Sequence, residues 1–119
     1  MNIRSLSSGL SFRGKVDGQR QAYYVFEGPK LFLVFSFSRS KPKSGYFNAV
    51  DAEAIKYAAR LIKGRQGVTA QSLYKRSRNP KHVGSSLEAL NILYVLVATG
   101  RAKIDRRYKT KQLIFNVAS

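Results

Sequence analysis

At 119 residues the chain has the length of one domain, and a second independent core would leave two undersized halves. With 44% of its residues hydrophobic and 12% aromatic it can bury a core, which argues against global disorder. The absence of cysteine excludes disulfides, thiolate zinc sites and a cysteine nucleophile, and one histidine, His82, leaves no histidine-rich metal cluster. The 22 Lys+Arg against 6 Asp+Glu leave a net charge of +16, an excess that repels itself in a compact state and calls for a polyanionic partner.

Taken in chain order, residues through Gly18 are rich in Ser, Gly and Arg and read as loosely ordered or as an edge strand. Stretches 21–27 and 31–38 are dense in aromatic and branched residues, which suit pleated surfaces. Gly28-Pro29-Lys30 is the turn that makes them an antiparallel hairpin. In the second of these strands the face of Leu31, Leu33, Phe35 and Phe37 is the expected core side, with Phe32, Val34 and Ser36 opposite. Arg39, Lys41 and Lys43 then form a basic loop before a short extended Tyr46-Phe47.

The first helix is expected to start at the N-cap Asn48 and end at Gly64, burying Val50, Ala54, Tyr57, Ala58, Leu61 and Ile62. Gly67-Val68 is a brief extended connector. Thr69 caps a second helix with Ala70, Leu73 and Tyr74 inward, and Asn79-Pro80 stops it. Ser85-Ser86-Leu87-Glu88 has the form of a capping box. It opens a third helix through Leu87, Leu90, Leu93, Tyr94 and Val97 to Thr99, where Gly100 supplies the left-handed terminator. Stretches 102–104 and 112–117 read as strands joined by a basic loop, 105–111.

The order from Asn48 to Val117, and above all the capped leucine-rich helix 87–100 followed by a charged hairpin, resembles the winged helix-turn-helix family over about 70 residues. The resemblance implies three helices and a C-terminal β-hairpin wing. With the N-terminal antiparallel β-hairpin packed on them, the expected fold is α+β and a single domain over 1–119, with a β-rich extension over 1–47 and the winged-helix portion over 48–119. The resemblance also implies a DNA-binding module whose third helix faces the major groove, with the wing against the backbone or minor groove.

The charges make a separate case. Lys75, Arg76, Arg78 and Lys81 lie between helices two and three, while Arg101, Lys103, Arg106, Arg107, Lys109 and Lys111 surround one acid, Asp105. Under the family geometry both clusters flank the N-terminus of helix three, where free backbone N–H groups and the hydroxyls of Ser85 and Ser86 can hold phosphate. Asn91 is a candidate adenine reader and Tyr108 a candidate stacking residue; both also have ordinary structural uses. Lys41 and Lys43 extend the surface or merely solubilise the hairpin exit. The link between helices two and three is longer than the tight turn of the family. Helix three is also unusually apolar, which fits packing against the aromatic hairpin, with a homodimer interface as the competing use.

Asp17, Glu27, Asp51, Glu53, Glu88 and Asp105 form no carboxylate cluster for metal-assisted hydrolysis, and no glycine-rich phosphate loop is present, so neither an enzyme nor a cofactor is expected. No stretch approaches the ~18 apolar residues of a membrane span, and the first residues lack the apolar run of a secretory signal. The expected partner is double-stranded DNA contacted mainly through phosphates, in the cytoplasm or on the nucleoid, with a viral origin equally compatible. The role is that of a transcriptional regulator or of the DNA-recognition part of a larger system. An RNA-binding component and a protein-interaction adaptor stay open beside it.

Overall fold

The computed structural model describes residues 9–18, 21–37, 45–107 and 112–119. Its elements are β1 (Ser11–Asp17), β2 (Ala22–Glu27), β3 (Leu31–Phe37), β4 (Gly45–Asp51), α1 (Ala52–Leu61), α2 (Ala70–Arg76), α3 (Ser86–Ala98), β5 (Ala102–Ile104) and β6 (Phe115–Val117). The fold is α+β, and among the described residues no helix is long and apolar enough to cross a membrane.

The expected hairpin is the centre of a larger sheet. Strands β1 to β4 form an antiparallel meander in sequence order, with β1 at the edge and a bulge between Phe12 and Gly14. The extended piece at Tyr46-Phe47 lengthens into β4, whose pairing places Asn48 opposite Val34 and Asp51 opposite Leu31. Asn48 is therefore in mid-strand rather than at a helix start. The N-cap of α1 is Asp51, which makes no side-chain capping bond. Ladder hydrogen bonds to β3 outweigh the local capping preference of one asparagine.

The buried face of β3 is also the reverse of the one expected. Phe32, Val34 and Ser36 are buried, whereas Leu31, Leu33 and Phe35 are half-buried and Phe37 is exposed. Both faces of this strand are apolar enough to enter a core, so alternation alone could not choose. Packing chooses: Val16, Val25, Phe32, Val34 and Val50 line the side against which α3 lies.

Helix α1 buries Ala54, Ile55 and Ala58, with Ile62 just beyond its end, while Tyr57 and Leu61 are half-buried. Helix α2 has the expected Thr69 cap, completed by reciprocal bonds between Thr69 and Ser72. It buries Leu73, but Tyr74 points outward and is 40% exposed. Helix α3 ends as expected on Gly100, at φ +79°, where Gly100 N–H donates to the Val97 carbonyl and Arg101 N–H to that of Leu96.

Helix α3 is the axis of the molecule. Ala89 and every residue from Asn91 to Leu96 are buried, so it is covered on all sides rather than along one stripe. Leu87, assigned to the core stripe by spacing, is instead 60% exposed at the first turn, and Leu90 and Val97 are half-buried. The four-stranded sheet covers one side of α3, and α1, α2 and β5 cover others. Burying Ile92, Leu93 and Leu96 contributes about 1.5–3 kcal/mol each. Behind α3, β5 pairs with β6, and Val68 bridges to Phe115 on the other edge of β6.

Candidate nucleic-acid interface

Lys75 and Arg76 occupy the last turn of α2, where cations complement the negative helix end. The chain after them is long but tightly organised. Asn79 accepts the Lys81 N–H on its side chain and the His82 and Val83 N–H groups on its carbonyl, and Val83 is buried as an anchor. The imidazole of His82 lies 5.2 Å from the Tyr57 ring, a packing position. This scaffold leaves Arg78 and Lys81 exposed on its outer side.

The N-terminus of α3 is already supplied with an anion of its own. The Ser85 hydroxyl accepts the Glu88 N–H at 3.1 Å, and the Glu88 carboxylate accepts the Gly84 N–H at 2.6 Å. The expected capping box is thus displaced by one residue at its return bond, from Ser85 to Gly84. A cleft of about 310 Å³ opens here, with Lys81, His82 and Ser85 on its wall, but Asp51 and Glu88 share that wall. Phosphate held by Ser85 and Ser86 would meet the Glu88 carboxylate, which argues against the anion site expected at this helix end. Asn91 is 4% exposed and its amide donates to the Leu87 carbonyl, 3.1 Å away, so it is no groove reader. From Ala89 to Leu96 the sides of helix three belong mostly to the core, and only its first turn, with Ser86, Leu87 and Glu88, is left open to a groove.

In the C-terminal region Arg101 and Lys103 are exposed. Arg106 donates from Nη2 to the Asp17 carbonyl at 2.8 Å, tying the turn after β5 to the end of β1. Arg107 is paired with Asp105, through Nε to Oδ1 at 2.9 Å and Nη2 to Oδ2 at 2.7 Å. Asn116 adds a third side-chain contact to the same carboxylate, from Nδ2 at 3.1 Å. The Arg107 bonds, then the Asn116 bond, hold the Asp105 carboxyl well below the usual carboxylate range. Arg107 is therefore a partner of Asp105 before it is a partner of anything else.

A second cleft, of about 340 Å³, joins Lys103 and Arg106 to Lys15 of β1, with Asp17, Val97 and Gly100 on its wall. Lys15 was missed by sequence reasoning because it is remote in the chain; its alternation on an edge strand was the one available signal. The Lys15–Asp17 pair, at 3.8 Å with both side chains more than half exposed, is weak.

The two cationic groups do not both flank the N-terminus of α3. Lys81 lies at its beginning, whereas Arg101 follows its end, and a 13-residue helix rises about 20 Å between those points. Of the other expected site residues, Tyr108, Lys109, Lys111, Lys41 and Lys43 lie outside the described residues. Among the described residues no group of His, Cys, Asp and Glu is placed to hold a metal ion. No protein-family model, curated protein or solved structure matches the chain.

Proposed function

We propose that the chain binds nucleic acid, with duplex DNA as its principal target, through phosphate contacts from two separate cationic patches. One patch is Lys75, Arg76, Arg78 and Lys81; the other is Lys15, Arg101, Lys103 and Arg106. One observation carries the reading. Lys75, Arg76, Arg78, Lys81, Arg101 and Lys103 are all exposed, and none has a carboxylate within ion-pair distance among the described residues. Unpaired cations on a chain of net charge +16 form the electrostatic footprint of a polyanion partner.

The element sequence α1, Val68 bridge, α2, α3, β5, β6 supports a winged-helix reading of the C-terminal two thirds, since β6 is flanked by Val68 on one side and β5 on the other. The role of the frame differs from the usual one. With α3 buried beyond its first turn, few base edges are within its reach and binding depends on the backbone, giving little sequence preference. Such a protein serves as a regulator or as the DNA-holding part of a larger system.

A filter-binding titration of duplex DNA across salt concentration tests the proposal. Six phosphate contacts give a slope of roughly −5 in log K against log salt. Affinity indifferent to salt would remove the electrostatic premise.

A further inference from the structure

The face of the four-stranded sheet turned away from α3 is aromatic, and no helix among the described residues packs on it. The registers place Lys15, Tyr24, Phe35 and Phe47 in one row across all four strands. The next row is Phe12, Phe26, Leu33 and Ala49. Directly paired side chains share a face about 5 Å apart, and rows two residues apart are separated by about 7 Å. The rings touch one another: Phe12 and Phe26 at 5.4 Å, Phe35 and Phe37 at 4.9 Å, Tyr24 and Phe37 at 6.5 Å. Phe12 is 57% exposed and Phe47 48%, while neither of the two rows contains an acid.

From this we infer that the outer sheet face is a stacking platform for the unpaired bases of single-stranded nucleic acid, a second binding surface that shares only Lys15 with the phosphate patches. An apolar face of this extent on a soluble fold marks an interaction surface, and charge selects the occupant. A second copy of the chain would bring a further +16 against the first, whereas a single strand brings bases for the rings and phosphates for Lys15 at the edge. Every base has a π-face, so the platform discriminates paired from unpaired nucleic acid rather than one sequence from another. In a duplex the base faces are occupied by their neighbours in the stack, and the platform has nothing to bind.

The test uses the full chain and fluorescence anisotropy with labelled oligothymidylate, oligouridylate and a duplex. The double variant Phe12→Ala/Phe47→Ala removes two exposed rings that the core does not need. It is expected to weaken single-strand affinity about 25-fold or more, each lost stack costing about fivefold or more. Duplex affinity should stay within twofold, and Phe47→Trp should retain single-strand binding. Unchanged single-strand affinity in a variant with wild-type circular dichroism overturns the inference. So does an equal loss on duplex, or a sedimentation experiment in which wild type self-associates and the double variant does not. Salt-independent duplex binding by the wild type would instead overturn the phosphate reading and leave the platform standing, so the two failures are distinguishable.

Discussion

Tyr23 of β2 stacks on Tyr94 of α3, with ring centroids 4.3 Å apart and planes inclined by 24°. The contact pins the sheet to the helix and fuses the N-terminal strands with the helical part into one core. Gly18 leaves room for it, since a Cβ there would fall 2.7 Å from the Tyr23 ring. Tyr94 also meets Phe115 edge-on at 6.2 Å, so one ring joins both sheets.

Tyr94→Ala should therefore cost about 3–5 kcal/mol, read as a lowered urea midpoint. A loss under 1 kcal/mol would contradict this placement of α3. The phenol adds a pH signature. Burial, and then the neighbouring Tyr23, push its pKa above the ordinary value of about 10. The stability it contributes is fully present below that value and is lost as pH rises through the raised one. Tyr94→Phe should fall less steeply in that alkaline range than wild type.

Asp105 behaves in the opposite sense. Its folded pKa lies below the ordinary value of about 4, so its contribution is present above pH 4 and disappears as pH falls through the depressed value. Asp105→Asn should make urea midpoints flatter across that acid window than those of wild type. Equal pH dependence in the two proteins would show that the Arg107 and Asn116 contacts do not stabilise the fold.

The two cationic patches should act independently. Replacing Lys75, Arg76, Arg78 and Lys81 together with Ala should flatten the salt slope for duplex binding by roughly 3.6, and Arg101 with Lys103 by roughly 1.8. Because α3 separates the groups, the combined variant should show the sum. A patch whose removal leaves the slope unchanged is not at the interface.

At the start of α3, Ser85→Ala should cost about 1 kcal/mol of stability through the lost cap. It should leave duplex affinity unchanged, because the Glu88 carboxylate and not a phosphate is the anion at that helix end. Glu88→Gln removes the repulsion and should raise affinity at low salt. A Ser85→Ala variant that remains folded yet binds more weakly would restore this end as a phosphate site.

The features legible in the sequence depend on a few neighbouring residues. Thr69 and Ser85 cap α2 and α3 through bonds to the residue three positions on, and Gly100 ends α3 because a positive φ suits glycine. The helical part, with its two late strands, was accordingly predicted in the right order. The apolar excess of α3 also pointed to packing on the aromatic strands, as Tyr23 and Tyr94 now show.

Tertiary structure decided what depends on distant partners. Strand β3 offers two apolar faces, and only α3 lying on the Phe32, Val34 and Ser36 side left Phe35 and Phe37 outside. Pairing with Val34 drew Asn48 into a strand, against its preference for a helix cap. Lys15 joined Lys103 and Arg106 because β1 runs beside the end of α3, and Arg107 was taken by Asp105, whose carboxylate also accepts from Asn116. Hydrogen bonds that close within one turn are written into adjacent residues. Which face is buried and which charges meet are settled by contacts made only when remote segments pack, so the same composition could have led to either outcome.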